Sequence, residues 1–176
     1  ELAPDNSIWM STTRNYFGDI GGTIFKSTDG VSFEEVTTIA NLRRTEIEIS
    51  SQDPDKMMIL AQRDDNGRPI VIKTLDGFIS TTTLPLPNDS DNGISADDFT
   101  RGQAFYDLVI EMDPNDDDIV YLGGIDLFRS SNGGQTYQQI SKWSNNPGLN
   151  TLPVSLVHAD QHAMTFRPGN SNEAIF

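Results

Sequence analysis

The 176 residues carry 12 Lys and Arg against 26 Asp and Glu, a net charge of −14, which sets the chain against nucleic-acid phosphates and anionic membrane surfaces. There are no cysteines, so disulfides play no part, and no apolar run approaches the roughly 18 residues that a membrane-spanning helix needs. A chain of this length can bury about 70% of its unfolded surface. In chain order, alternation of apolar and polar residues predicts strands over 8–12, 23–27 and 33–39. Four more follow over 45–50 (Ile47 and Ile49 inward), 57–62, 69–74 and a frayed 78–83. The clearest pattern starts near Phe105, where Tyr106, Leu108, Ile110 and Met112 alternate with Asp107, Val109, Glu111 and Asp113. Strands over 119–122, 125–129 and 136–141 complete that group, and 162–167 and 174–176 end the chain. No helical periodicity occurs, and the expected class is all-β.

The stretch 126–140 reads as strand, tight turn, strand. Asn132, Gly133 and Gly134 tolerate positive φ at little cost, and the side chains of Ser130 and Asn132 can hold backbone N–H groups inside the turn. Thr136 and Tyr137 follow, the aromatic placed to fold back into the core. The same text recurs in shortened form as Ser27, Asp29, Gly30 and Phe33, and again as Thr74, Asp76 and Gly77. A second marker, a proline followed by Asn, Asp or Gly and then an apolar strand, begins at Pro4, Pro54, Pro114 and Pro168, at intervals of 50, 60 and 54 residues. That period is near the one expected of a four-stranded propeller blade.

These turns resemble the Asp-box repeats, Ser-x-Asp-x-Gly-x-Thr-Trp, of sialidase-like and sortilin-like β-propellers and of bacterial secreted BNR-repeat proteins. The resemblance implies a β-propeller of four-stranded antiparallel blades joined by Asp-box hairpins. It divides the chain into a first blade over 1–42, a second over 43–98, a third over 99–152 and the start of a fourth over 153–176. A propeller closes with about four to eight blades, so the expectation is about three blades of a larger ring, completed by the same parent chain or by another subunit. Glu1 is no initiator methionine and 173–176 fall within an apolar alternation, so both ends read as cut. The resemblance further implies an extracellular or cell-surface location, and a module that binds a glycan or protein. The alternatives are part of a sialidase-like or xyloglucanase-like glycoside hydrolase whose catalytic residues lie largely outside this segment, and an architectural surface protein. The sialidase Arg-Ile-Pro segment has no match in Arg43-Arg44-Thr45 or Arg68-Pro69-Ile70.

Two groups of residues can carry a site. On a strand His158, Asp160 and His162 share one face, and two imidazoles with a carboxylate are a ligand set that suits zinc or another divalent metal. A flat strand separates the outer pair by about 13 Å, so one metal takes all three only across a bend; otherwise the group is a polar cluster lining the propeller channel. Arg101, Gln103, Tyr106 and Asp107 precede an inner strand and can contact a sugar by stacking and hydrogen bonds; in the plainer reading Tyr106 is core and Arg101 pairs with the acidic loop before it. The Asp-box residues themselves have a sufficient task in the turns. Loops over 84–102 and 143–153 are long enough to carry binding residues.

Overall fold

A computed structural model describes residues 1–167 and 170–175. Pro168 and Gly169, which open the fourth proline marker, and Phe176, the end of the last expected strand, lie outside the described residues. The first sheet contains β1 (Ile8–Ser11), β2 (Thr23–Ser27) and β3 (Glu34–Thr38) in that order. The second contains β4 (Leu42–Ile49), β5 (Met57–Arg63), β6 (Pro69–Thr74) and β7 (Thr82–Leu84), also in chain order. The third is the meander of β8 (Val109–Met112), β9 (Val120–Gly123), β10 (Leu127–Ser130) and β11 (Gln138–Gln139). All three sheets are antiparallel. Two short pairs follow: β12 (Ser141–Lys142) runs parallel to β13 (Ser155–Leu156), and β14 (Thr165–Arg167) antiparallel to β15 (Asn170–Ile175). The chain is all-β, as its alternation requires.

The sheets stack side by side because β5 has two apolar faces. Met57 to Ala61 are all fully buried, and the period of two sends alternate residues into separate cores. Met57, Ile59 and Ala61 join Trp9, Ile24, Ile47, Ile49 and Phe78, between the first and second sheets. Met58 and Leu60 join Leu108, Ile110, Met112, Leu122 and Phe128, between the second and third. Burying each large side chain contributes about 1.5–3 kcal/mol, so the two cores hold adjacent sheets together. This is the layering of a propeller, with β4 and β8 as neighbouring inner strands.

Several strands differ from the expected bounds. The strand expected from Tyr106 starts at Val109, because the N–H groups of Tyr106 and Asp107 both donate to Gln103 O, closing a turn. The strand expected over 78–83 shortens to β7, since Phe78 sits at φ 71°, outside strand geometry. The strand expected over 136–141 divides into β11 and β12, where Ser141 Oγ takes the N–H of Leu127.

Register fixes which ends meet. In the second sheet Leu42 lies opposite Arg63, Gln62 opposite Pro69 and Val71 opposite Leu84, so loop 64–68 and the segments entering β4 and leaving β7 share one end. At the opposite end lie the turn 50–56 and the Thr74–Asp76 turn. There Thr74 Oγ1 accepts from Phe78 N–H at 2.9 Å, as Ser27 Oγ does from Gly30 and Ser130 Oγ from Gly134, each at 2.9 Å. The carboxylate of Asp29 accepts from Val31 and Ser32, and those backbone N–H groups, Ser32 first, lower it to about 2. Gly133 and Gly134 take φ 64° and 86°, which the Asn-Gly-Gly turn needs.

Candidate functional site

The loop-bearing end collects the long connections. Loop 12–22 leaves the first sheet there, 64–68 the second, and 85–108, 143–154 and 157–164 lead into β8, β13 and β14. Backbone bonds tie neighbouring sheets together at this end, with Arg14 N–H donating to Arg43 O and Gln161 N–H to Gly124 O. Arg44 is the main clasp. Its guanidinium donates to the carbonyls of Phe105 (3.4 Å), Tyr106 and Leu108 (3.3 Å), while its Nε donates to Glu46 at 2.7 Å. The clasp holds the Gln103–Tyr106 turn just before β8.

Held this way, Phe105 and Tyr106 remain 63% and 52% exposed with tilted rings 6.4 Å apart. The His162 ring meets Tyr106 edge-on at 4.3 Å. Gln103 Nε2 donates to Asp160 Oδ1 at 3.4 Å. Four of the residues singled out in the sequence, Gln103, Tyr106, Asp160 and His162, therefore meet here in two pairs from separate loops.

Asp107 lies beneath them with no exposed surface. Among the described residues neither of its carboxylate oxygens has a hydrogen-bond partner. Burial pushes its carboxyl up to about 7, with the charges of Asp160 and Asp98 adding to the effect and Arg44 opposing it. Inner strands carry a second perturbed pair. Burial and then the Glu111 charge raise Glu48 well above the usual range, although it accepts Met112 N–H at 3.1 Å; Glu111 rises to about 7, mainly through burial.

His158, Asp160 and His162 do not lie along one strand face, and only Asp160 and His162 reach the Gln103–Tyr106 turn. No strand runs through 157–164, and Asp160 adopts φ 70°, which breaks the alternation that puts i, i+2 and i+4 on one face. His158 turns to the carbonyl of Ala159, with Nδ1 at 2.7 Å, while His162 packs on Tyr106. Among the described residues no three imidazole or carboxylate groups converge to hold a metal. Arg101 is also elsewhere: its guanidinium lies over the Trp143 ring, 5.7 Å from the centroid.

Arg14, Arg43 and Arg44 belong to this end and were not among the sequence candidates. Their signal was available, since Arg43 and Arg44 are two of only 12 cations and adjoin a predicted inner strand. Alternation does not single out Phe105 either, since its exposure follows from the turn that Tyr106 and Asp107 close on Gln103 O.

No family model and no curated protein matches the chain. Among solved structures, "YCF48 bound to D1 peptide" is similar at 16% identity and TM-score 0.48, over 76% of this chain and 36% of that one. A GH74 enzyme from Niastella koreensis is similar at 14% identity and TM-score 0.46, over 90% of this chain and 24% of that one. The GH74 xyloglucanase from Xanthomonas campestris is similar at 16% identity and TM-score 0.52, over 78% of this chain. This chain spans only 19% of that enzyme's length. At such identity the likeness to the Xanthomonas enzyme concerns fold alone, and with the side-by-side antiparallel sheets it gives the chain the fold of a β-propeller.

Proposed function

We propose that this chain is a segment of an Asp-box propeller that binds an extended glycan across its loop-bearing end, outside the cell or at its surface. The observation that carries the reading is the aromatic ledge of Phe105 and Tyr106. Two large rings are left facing water while Arg44 clasps their carbonyls and His162 abuts one of them. An immobilised aromatic offers a flat apolar face to a sugar without a further ordering cost on binding. Gln103 and Asp160 supply hydrogen-bonding groups beside it. The three Ser/Thr-x-Asx turns support the Asp-box assignment, and the remaining blades would come from the parent chain or another subunit. Screening on a glycan array identifies the ligand, and Tyr106→Ala should then weaken binding at least about tenfold, as expected for a lost anchor. Because Tyr106 is half exposed, its unfolding midpoint should change little. Unchanged affinity in the variant, or an array that captures nothing, refutes the reading.

One observation favours a second reading, part of a glycoside hydrolase. The Asp107 carboxyl, pushed up to about 7 by burial and to a lesser degree by the Asp160 charge, has the raised acidity range of a general acid in two-carboxylate hydrolysis. Its burial requires the Gln103–Tyr106 turn to move before substrate reaches it. Release of reducing ends from a glycan panel, abolished by Asp107→Asn, is the expected signature; binding without turnover excludes it.

A further inference from the structure

The strongest feature adjoining the aromatic ledge is a local reversal of charge. The chain as a whole is acidic, yet an open depression of about 380 Å³ between the first and second sheets is lined by Thr13, Arg14, Arg43, Arg44, Gln62 and Phe105. Three guanidiniums and no carboxylate form its wall. Its size is in the range of a small-ligand site.

The arginines divide by role. Arg44 is occupied by Glu46 and the carbonyls before β8. Arg14 and Arg43 instead share one oxygen: Arg14 Nη1 lies 2.6 Å and Arg43 Nε 3.3 Å from Oδ1 of Asp64. Two positive charges against one negative leave a surplus of one. Each guanidinium has five N–H donors, and among the described residues the ion pairs of both end on Asp64 alone. Both side chains are two-fifths to one-half exposed, so the unspent donors reach solvent. A planar carboxylate is the group such forks bind best. Phe105 gives the same depression a ring face, and Tyr16 and Phe17, almost wholly exposed and edge-on at 5.8 Å, stand on the loop that carries Arg14.

We propose that this depression is a subsite for the carboxylate of an acidic sugar, a uronic acid within the bound glycan, gripped by Arg14 and Arg43 and stacked on Phe105. The inference rests on the glycan-binding reading above and names the class of glycan. The excess of acidic groups elsewhere does not forbid it. At about 0.15 M salt the Debye length is about 8 Å, so distant carboxylates are screened while a contact pair is not.

The test titrates the chain with oligogalacturonate, a neutral β-glucan oligomer of equal length and a poly-glutamate peptide, at that salt concentration. Oligogalacturonate should bind at least about tenfold more tightly than the neutral oligomer, and Arg43→Gln should erase the difference, a charge-assisted contact being worth about that factor or more. Asp64→Asn should do the reverse and tighten acidic binding, because it frees both guanidiniums. Loss of folding cannot imitate a gain. The ion pairs removed are exposed and contribute little to stability. Equal affinity for acidic and neutral oligomers, or an unaffected Arg43→Gln, overturns the subsite and leaves glycan binding standing. Binding of neither oligomer overturns the subsite, while the glycan array decides separately on glycan binding, and capture of poly-glutamate instead of oligogalacturonate assigns the depression to an acidic peptide and overturns the proposal.

Discussion

Asp107 is a fully buried carboxyl without a hydrogen-bond partner among the described residues, and an ionised carboxylate in that position opposes folding. Its folded pKa of about 7 lies above the ordinary carboxylate value. The native state therefore holds the proton more tightly than the unfolded chain, and this group's contribution to stability falls as pH rises from about 4 to 7. Below that window parent and Asp107→Asn should be alike at this site. At pH 8 the variant should be more stable, by about 1–3 kcal/mol after the buried amide's own unmet donors are counted. Thermal melts at pH 3 and pH 8 check this, and a variant that loses stability at pH 8 contradicts it. The sequence offered Asp107 as a polar residue facing a ligand from an alternating strand. Period alone could not reveal the turn at Gln103, which draws Tyr106 outward and buries Asp107. Nor could it reveal the left-handed Asp160, which separates the two histidines.

Elements were more legible than side chains, for a physical reason. The unbroken apolar run Met57–Ala61 and the alternation over Leu108–Met112 reflect burial against neighbouring sheets. The Asx turns are written in local chemistry that needs no distant partner. What the sequence did not carry is contact between elements. Lys56, in the turn before β5, is buried and donates Nζ to Asp117 at 2.6 Å and Asp118 at 2.9 Å, while Ser50 Oγ reaches Asp117 at 2.5 Å. This bracket joins the second and third sheets at the end opposite the loops. Burial works against the Lys56 charge, but these hydrogen bonds outweigh it and its pKa rises; the same partners hold Asp117 down. Lys56→Ala leaves Asp117 without its cation and should cost about 2–3 kcal/mol. Because the bracket lies at the far end, glycan affinity measured below the lowered melting temperature should not change. An unchanged melt would mean the bracket contributes nothing.

At the scale of the whole molecule, two ends of one stack of sheets do different work. The turn-bearing end spends its polar groups on itself, in Asx turns and the Lys56 bracket. The loop-bearing end leaves rings and guanidiniums facing solvent, on a chain whose net charge is −14. This division is the central claim, and hydrogen–deuterium exchange with and without the tightest-binding glycan tests it most directly. The account predicts slowed exchange in 12–22, 43–44, 101–107 and 158–162, with 27–32, 74–80 and 130–136 unchanged. Protection confined to those turns, or spread evenly over both ends, would contradict it.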